Sequence, residues 1–460
     1  MSPLALLPAT AGEIAVIGLG RSGAAASELL LARGYTVYAC DDGTSPKLTD
    51  IATQLTMRGA TAQTGGHDAS RIARAALVVV SPGVPPDAAP LVVARRAERE
   101  IISEIELALR CEPELRYVAV TGTNGKTTTT ALIGHLFRAL GVNAPDAGNI
   151  GTPLSEVVNE PTRPDWVSLE LSSFQLHDAP SVAPNVGVLT NLSADHLDRY
   201  ASVGEYFGDK AMLFRNATSS SRWVLNADDN ASLEIARGVA GDHLRFSLVH
   251  ECEAWYDRSA NFLMVLGAAL LPRGDLRLLG DHNVANALAA SLAVMAAAEE
   301  FRTAHARTLI ADALRIFRAM PNRLEIVGEW HGVEWINDSK ATNVASTLVA
   351  VQGMTRPTVL LLGGRHKGEP YTALAQPVAE HVRHVIAFGE AGPIVERDLA
   401  TAAPLTRIDG SFEEVMAAAR SHAAAGDAVL LSPACSSYDM FNNYVERGER
   451  FRALAADHDG

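Results

Sequence analysis

The chain has 460 residues, of which 48% are hydrophobic and 20% are charged. Those proportions describe a folded globular chain and exclude a disordered segment, a fibre or one small module. The formal net charge of -14 repels nucleic acids and anionic membranes, so neither is expected as a partner. An anionic substrate must therefore be held by local groups.

The cysteines and the most apolar segment indicate the cellular compartment of the protein. The four cysteines lie far apart and form no Cys-x-x-Cys pair, which argues against a zinc site or a disulfide scaffold; they are Cys40, Cys111, Cys252 and Cys435. Residues 284–298 fall short of the roughly 20 residues that span a bilayer. The first seven residues lack the basic start of a secretory signal. We predict a cytoplasmic protein.

Short apolar runs alternate with helical patterns, which is typical of parallel sheets covered by helices. The first six runs are 14–17, 36–40, 77–80, 117–121, 166–171 and 186–190. Helical patterns end near residues 110 and 317, and a proline follows each. The sequence therefore predicts an α/β fold with three domains, residues 1–106, 107–320 and 321–460.

A glycine-rich loop follows the first predicted strand. Gly18, Gly20 and Gly23 lie between this strand and a helix, where glycines let backbone amides and a helix N-terminus approach a phosphate. The next strand ends in Asp41 and Asp42, where a dinucleotide-binding fold places a ribose-binding acid. The pattern alone fits a nicotinamide dehydrogenase, a protein that binds another nucleotide, or a structural turn.

The stronger signal is a second loop, residues 122–128, between a strand and a long helix. It reads Gly-Thr-Asn-Gly-Lys-Thr-Thr, and Val120 replaces the first glycine of the longer phosphate-loop pattern. Loop amides and the helix dipole can hold a β-phosphate, while Lys126 can reach the β and γ oxygens and Thr127 can ligate Mg2+. The alternative is an ordinary turn followed by a solvated lysine.

Polar side chains follow the next two strands. Glu170 closes the fifth apolar run, where a carboxylate is costly unless it is paired or bound to a metal; otherwise Ser172 or Ser173 would cap it. His196 follows the sixth run and could bind a metal through a neutral ring nitrogen, or act as a cap or core histidine. Lys210 by itself would be a solvated charge.

Further polar groups occur later in the chain. Asn283 and Asn286 stand three residues apart on one predicted helix face, although asparagine near a helix start is more often a cap. Cationic and hydroxyl groups that suit an anionic ligand occupy segments 321–325, 337–343, 363–367 and 432–439. Each segment taken singly indicates a turn or a cap. Cys435 has no base in its segment, so a thiol nucleophile is not predicted.

With these segments in this order, the sequence resembles the Mur ligase family from the Gly18 loop to Gly448. The most specific segments are Thr-Gly-Thr-Asn-Gly-Lys-Thr at 121–127, Leu-Glu-Leu-Ser-Ser-Phe-Gln at 169–175, Asp-His-Leu-Asp-Arg at 195–199 and Asp-Ser-Lys-Ala-Thr-Asn at 338–343. The resemblance implies a Rossmann-like N-terminal domain for a UDP-linked substrate. It also implies a central P-loop ATPase-like domain with a parallel sheet, and a C-terminal Rossmann-like α/β domain that receives an amino acid.

The resemblance also implies the activity. Segment 338–343 is similar to the members of the family that add D-glutamate to UDP-N-acetylmuramoyl-L-alanine, with ATP and two Mg2+ ions, through an acyl phosphate in peptidoglycan precursor synthesis. A monomer acting on small molecules, without nicotinamide, is expected. A folylpolyglutamate synthase shares the phosphate loop, but the first domain and segment 338–343 oppose it. Two rival hypotheses are a dehydrogenase with an unrelated ATP site and an ATP-binding module without catalysis.

The resemblance further assigns roles to individual residues. The expected ATP contacts are Gly122, Thr123, Asn124, Gly125, Lys126, Thr127, Thr128, Asn283, Asn286, Arg323, Asp338 and Lys340. The expected UDP-substrate contacts are Gly20, Arg21, Ser22, Asp41, Asp42, Gly83 and Asn149, and the expected glutamate contacts are Thr342, Lys367, Ser437 and Tyr444. The expected catalytic residues are Lys126, Glu170, His196 and Lys210. The expected metal-site residues are Thr127, Glu170, His196 and Lys210, the last as a carbamate.

Three positions depart from the family pattern. Gly43 lacks the side chain that some relatives place beside uracil, Asn322 stands where histidine is common, and Arg365-His366 replaces an acidic residue found in some members. The departures concern individual contacts, and the residues predicted to bind phosphate and metal are all present.

Overall fold

The structure, a computed structural model, describes residue 7, residues 12–194 and residues 200–456. The chain divides into two compact units, which are Met1–Leu271 with Asn286–Leu314, and Pro272–Ala285 with Arg315–Gly460. Within the described ranges, every helix is too short or too polar to cross a membrane.

The first sheet of the first unit has five parallel strands in the order β3-β2-β1-β4-β5. They are β1 (Glu13–Ile17), β2 (Thr36–Asp41), β3 (Thr61–Thr64), β4 (Leu77–Val80) and β5 (Ile101–Ser103). The helices that accompany them are α1 (Arg21–Ala32), α2 (Pro46–Met57), α3 (Ala69–Arg74), α4 (Ala89–Arg96) and α5 (Glu104–Cys111). Because the strand order reverses beside β1, its carboxyl end lies at the crevice where such sheets bind ligands.

The second sheet of the first unit has nine strands in the order β14-β13-β12-β11-β10-β9-β6-β8-β7. They are β6 (Tyr117–Thr121), β7 (Asp146–Gly148), β8 (Val167–Glu170), β9 (Val186–Leu189), β10 (Arg222–Asn226), β11 (Asp242–Ser247), β12 (Ala254–Asp257), β13 (Phe262–Val265) and β14 (Ala268–Pro272). Strand β6 lies between β8 and β9 and runs parallel to both. Their carboxyl ends, at Thr121, Glu170 and Leu189, therefore lie side by side.

The helices around this sheet are α6 (Lys126–Ala139), α7 (Leu154–Asn159), α8 (Ser173–His177), α9 (Val203–Ala211) and α10 (Asn230–Ile235). Two longer helices, α11 (Asp281–Ala297) and α12 (Ala304–Ile316), contain residues of both units. Helix α6 follows β6 directly, so its N-terminus lies at the carboxyl edge of the sheet.

The sheet of the second unit has the order β15-β16-β20-β17-β18-β19. Its strands are β15 (Glu325–Trp330), β16 (Val333–Asn337), β17 (Thr358–Gly363), β18 (Val382–Phe388), β19 (Leu405–Ile408) and β20 (Ala428–Leu431), and only the pair β15 and β16 is antiparallel among the pairings described. Its helices are α13 (Val344–Gln352), α14 (Ala375–His381), α15 (Gly392–Leu399), α16 (Phe412–His422) and α17 (Tyr444–Ala456). The ends of β16, β20 and β17 are neighbours.

The predicted α/β class is confirmed, and each of the six apolar runs contains a strand. The strands of these six runs are buried on both faces along most of their length, as parallel strands between helices require. The antiparallel pair β12 and β13 was not predicted. The proposed boundary at residues 106 and 107 falls within α5, and the one at residues 320 and 321 follows α12; both remain predictions.

Helix α5 joins the two sheets of the first unit through a buried carboxyl group. Glu104 is 2% exposed and accepts a hydrogen bond from the backbone N–H of Ser155, at the start of α7. Burial raises the pKa of Glu104 to about 7, although that hydrogen bond opposes the rise. Ionised Glu104 is therefore disfavoured in the folded chain.

We expect Glu104→Gln to stabilise the protein above pH 7 and to change little at pH 5. The folded pKa lies above the usual value, so the wild-type chain loses stability as pH rises from about 4.5 to 7, and the amide removes that loss. At pH 8 the gain should reach about 1–3 kcal/mol, which thermal unfolding at both pH values would measure. The exposed Glu114→Gln is the control, and an equal gain at both pH values would contradict the prediction.

Candidate functional site

The phosphate loop is shaped by two glycines and by polar groups at the end of β9. Gly122 and Gly125 have φ of +144° and +81°, values that favour glycine. A Cβ at Gly122 would lie 2.0 Å from Oγ1 of Thr190. Asn191 accepts a hydrogen bond from the backbone N–H of Asn124 at 2.9 Å, so a side chain that follows β9 fixes the conformation of the loop.

Two lysines converge on this loop. Nζ of Lys126 donates to the backbone oxygens of Gly122 at 2.9 Å and Thr123 at 2.7 Å. Nζ of Lys210, a side chain only 1% exposed, donates to the same Gly122 oxygen at 2.7 Å. Thr127 is buried in the first turn of α6. The structure thus brings Lys126, Lys210 and Thr127 together, whereas Lys210 alone would have been taken for a solvated charge.

Glu170 presents a buried carboxylate oxygen at the end of β8. It is 1% exposed, and its Oε1 accepts a hydrogen bond from Nδ2 of Asn149 at 2.7 Å. Among the described residues, none donates a hydrogen bond to its Oε2. Ser172 caps α8 together with Gln175, so the alternative in which a serine caps Glu170 is not observed.

This arrangement fits a Mg2+ ion bound with a triphosphate. A buried carboxylate oxygen without a donor is costly unless a cation occupies the place of the donor, and carboxylate and hydroxyl oxygens suit Mg2+. Over the described part of the chain, no group of three His, Cys, Asp or Glu side chains forms a metal cluster. The predicted ligand His196 belongs to segment 195–199, which lies outside the described residues.

A cavity of about 460 Å³ lies at the carboxyl end of β1. It is lined by six of the seven residues predicted to contact the UDP substrate, namely Gly20, Arg21, Ser22, Asp41, Asp42 and Gly83. A Cβ at Gly20 would meet nothing within 4 Å, so this helix N-terminus is open to a ligand. Gly23 has a packing role, because a Cβ there would lie 1.8 Å from the oxygen of Gly18.

The two aspartates of this cavity have different surroundings. Asp41 accepts hydrogen bonds from the backbone N–H groups of Leu19 and Gly43, at 2.7 and 2.8 Å, and so holds the glycine loop. Asp42 lies 2.8 Å from Nε2 of His67. Sequence reasoning missed His67, which lines the cavity after β3. Its position beyond a strand end was the signal that could have found it.

Asn149 lies beside Glu170 and does not line the cavity. Its own segment is tied to the cavity, because Nη1 of Arg21 donates to the backbone oxygen of Gly151 at 2.7 Å. Arg21, the first residue of α1, thus contacts the segment whose Asn149 donates a hydrogen bond to Glu170.

The two asparagines predicted to contact ATP have separate partners. Asn286 accepts a hydrogen bond from Oγ1 of Thr129 at 3.2 Å, and its Oδ1 would lie 2.4 Å from a Cβ at Gly125. It is therefore packed against the phosphate loop. Asn283, in the second unit, donates to the oxygen of Leu279 at 2.8 Å.

In the second unit, Asp338 supports the turn that carries Arg323. Asp338 accepts hydrogen bonds from the N–H of Leu324 at 3.2 Å and the hydroxyl of Ser432 at 2.8 Å. Burial raises its pKa to about 7, against the effect of these bonds. Both carboxylate oxygens thus have protein partners. Lys340 belongs to the same turn, because its N–H donates to the oxygen of Asn322 at 3.1 Å.

The four predicted glutamate contacts occupy segments that meet at one sheet edge. Thr342, Lys367 and Ser437 follow β16, β17 and β20, and Tyr444 begins α17. Nζ of Lys340 lies 5.2 Å from the centre of the Tyr444 ring. The topology therefore collects these residues within the second unit.

Hydrogen bonds connect the segments of this edge. The N–H of Val344 donates to Oε2 of Glu369 at 3.3 Å, which joins the segments of Thr342 and Lys367. The hydroxyl of Ser339 donates to the oxygen of Tyr444 at 2.8 Å.

A buried arginine, missed by sequence reasoning as a site residue, supports the same edge. Arg447 is 0% exposed and donates to the hydroxyl and backbone oxygen of Ser339, at 2.9 and 2.8 Å, and to the oxygen of Cys435 at 3.2 Å. Burial lowers its pKa to about 10. Burial also raises the pKa of Cys435 to about 11, which does not suit a thiol nucleophile.

Comparison with known proteins covers nearly the whole chain. Three family profiles match, described as the MurD-like N-terminal domain of Mur ligases at residues 12–103, the Mur ligase middle domain at 120–294 and the Mur ligase glutamate ligase domain at 322–435. Proteins named UDP-N-acetylmuramoylalanine--D-glutamate ligase are similar to it. The one from Geotalea uraniireducens is 38% identical, covering 97% of this chain and 98% of the relative, and the one from Geobacter metallireducens is 40% identical, covering 96% of each.

Solved structures agree in fold. A pseudomurein peptide ligase type C from Methanothermus fervidus has a TM-score of 0.61 and 21% identity, covering 96% of this chain and 100% of that one. MurF from Acinetobacter baumannii has a TM-score of 0.58 and 17% identity, covering 84% and 86%. These identities support the fold alone, whereas the sequence relatives and the three profiles extend along nearly all of the chain. The chain belongs to the Mur ligase family.

Proposed function

We propose that the protein joins D-glutamate to the L-alanine carboxyl group of UDP-N-acetylmuramoyl-L-alanine, with conversion of ATP to ADP and phosphate. The observation that carries this is the phosphate loop at 122–128 beside Glu170, whose buried Oε2 lacks a donor among the described residues. The relatives at 38–40% identity carry the name of this activity.

ATP bound with Mg2+ supplies the phosphoryl group that converts the unreactive alanine carboxylate into an acyl phosphate. The amides of the phosphate loop and Lys126 bind and neutralise the phosphates, and Thr127 and Glu170 supply oxygens for Mg2+. Lys367 and Ser437 hold the carboxylates of the incoming glutamate, which leaves its amine available for the reaction. The unprotonated amine attacks the carbonyl carbon of the acyl phosphate, the amide bond forms as the carbon–oxygen bond to phosphate breaks, and phosphate and the amine's proton are released.

Finer features belong to the same proposal. The first sheet binds the UDP group at the cavity lined by Gly20 and Asp42. Two Mg2+ ions act at the phosphate loop. A carbamate on Lys210 and the imidazole of His196 contribute to the metal site. The enzyme works as a cytoplasmic monomer. All four cysteines are unpaired by disulfides, which supports a reducing compartment.

Glutamate-dependent ADP formation tests the function. The purified protein is incubated with ATP, Mg2+, UDP-N-acetylmuramoyl-L-alanine and each glutamate enantiomer, while phosphate release and product mass are followed. We expect turnover with D-glutamate and a product heavier by one glutamyl residue. Absence of glutamate-dependent ADP formation would overturn the proposal.

A titration separates this function from the dehydrogenase hypothesis. UDP and NAD are added separately to the free protein, and the heat of binding is measured. We expect binding of UDP without binding of NAD, because the cavity belongs to a UDP-substrate domain in our proposal. Tight binding of NAD without UDP would reverse the assignment of the first domain.

We expect Lys210→Ala to lose most activity and to recover part of it when a short-chain carboxylic acid is added. The acid would replace the anionic group of the carbamate, while the folded loop persists through Thr190 and Asn191. Steady-state rates at increasing acid concentration give the measurement, with the exposed Lys47→Ala as control. A variant that no concentration of acid rescues would contradict the carbamate.

A further inference from the structure

The hydroxyl of Tyr371 lies between two side chains of the second unit. Its oxygen is 2.9 Å from Sγ of Cys435 and 3.1 Å from Nδ1 of His366. We propose that Tyr371 is a positioning residue for the incoming amino acid, because it joins the loop that carries Lys367 to the loop that carries Ser437. The inference rests on the proposed function and adds Tyr371 and His366 to the residues expected at the site.

The two loops leave neighbouring strands at the same edge. The β17 loop (residues 364–370) and the β20 loop (residues 432–437) follow parallel strands in which Leu361 lies opposite Leu431. Their backbones meet where the N–H of Arg365 donates to the oxygen of Ser436 at 2.8 Å. The hydroxyl of Ser436 also donates to the oxygen of Arg365 at 3.4 Å. Lys367 lies further along the β17 loop than these contacts, between them and Tyr371.

Tyr371 provides a fixed point for this connection. Its side chain is 1% exposed and belongs to the hydrophobic core that contains Leu360 and Leu374. Its backbone N–H donates to Oδ2 of Asp398 on α15 at 3.0 Å. Because the ring cannot move without disturbing the core, the hydroxyl has a defined place beneath the two loops.

The three polar groups form a complete hydrogen-bond chain. The thiol of Cys435 can donate to the Tyr371 oxygen, and the Tyr371 hydroxyl can donate to Nδ1 of a neutral His366. Burial raises the pKa of Cys435 to about 11 and raises the pKa of Tyr371 further above its ordinary value, so both groups keep their protons at neutral pH. The chain therefore links the β20 loop, the core and the β17 loop.

The link through Tyr371 should affect the binding of glutamate more than the binding of the other two substrates. Glutamate has two carboxylates, which require a cation and a hydroxyl at a fixed separation, and these belong to the two linked loops. The phosphate loop and the proposed UDP cavity are built from residues of the first unit. The second-unit residues expected at ATP are held by hydrogen bonds outside the Cys435–Tyr371–His366 chain, namely Asp338 by Leu324 and Ser432, and Lys340 by Asn322. Loss of the link should therefore appear as weaker glutamate binding, with the other two substrates little affected.

Tyr371→Phe tests this inference by a comparison of kinetic constants. We expect KM for D-glutamate to rise about 5–10-fold, the loss that one ordinary hydrogen bond produces, while kcat and the KM values for ATP and the UDP substrate stay within about twofold. Tyr117→Phe is the matched control, because it removes a buried tyrosine hydroxyl from the first unit. That hydroxyl accepts a hydrogen bond from the backbone N–H of Ala183 at 2.7 Å.

Two further variants keep the test decisive. Cys435→Ser should preserve KM for D-glutamate, since a hydroxyl can replace the thiol, and the half-buried His366→Ala should raise it even if Tyr371→Phe folds poorly. An unchanged KM for D-glutamate in both His366→Ala and Tyr371→Phe, or an equal rise of all three KM values, would overturn the inference. Wild-type protein without glutamate-dependent ADP formation would instead refute the proposed function.

Discussion

Lys126→Ala should reduce ATP-dependent ligation by on the order of 10²–10³-fold, the usual cost of removing one group that stabilises developing charge. Lys126 begins α6, and its ammonium group already lies against the phosphate loop at Gly122 and Thr123. Alanine is compatible with the helix and leaves the loop glycines unchanged. The reaction rate at saturating substrates would measure the loss.

Binding of UDP should survive in the same variant, because the cavity proposed to bind UDP is at the first sheet and Lys126 is at the second. Calorimetric titration with UDP checks this, and Lys47→Ala, an exposed lysine of α2, controls for the loss of one positive charge. Normal turnover in Lys126→Ala would refute the phosphate-loop assignment. Equal loss of UDP binding would show that the substitution disturbs more than the loop.

Glu170→Gln should lower the rate by a similar factor while the protein stays folded. The amide keeps an oxygen that can accept from Asn149, but its other end becomes an NH2 group, which cannot ligate Mg2+. Rates over a range of Mg2+ concentrations, together with thermal unfolding of the apo protein, separate metal binding from folding.

Glu156→Gln is the control for this prediction, because Glu156 is a half-exposed carboxylate of α7 that pairs with Arg21 at 3.5 Å. We expect it to leave the Mg2+ dependence unchanged. A Glu170→Gln protein with normal Mg2+ dependence would show that the unpartnered oxygen serves another purpose.

Local patterns predicted most of the fold and the phosphate loop. Strands such as Val186–Leu189 are continuous apolar runs, and Gly122 and Gly125 occupy positions that require positive φ. These signals are local, because strand burial and backbone conformation depend on adjacent residues. The position of Glu170 at a strand end also placed it beside the loop before any contact was known.

Long-range partners could not be predicted in the same way. The polar sequence around Arg447 does not reveal a fully buried guanidinium, because its acceptors on Ser339 and Cys435 come from other parts of the chain. Likewise, the strand-end position of Asp41 does not reveal the hydrogen bonds that its carboxylate accepts from the backbone N–H groups of Leu19 and Gly43, and its contact with the substrate stays a prediction. Only the fold brings such partners together.

The carbonyl of Gly122 accepts hydrogen bonds from the side-chain nitrogens of two lysines at once, Lys126 and Lys210. The Lys126 ammonium does not have to be drawn out of bulk water when a triphosphate arrives, since two backbone oxygens have already replaced part of its hydration shell. In solution, water must rearrange around the charges during phosphoryl transfer, and this slows the reaction. Here much of that rearrangement is already completed when the chain folds. The positive charge of Lys126 is therefore in place at this loop before the anionic triphosphate binds.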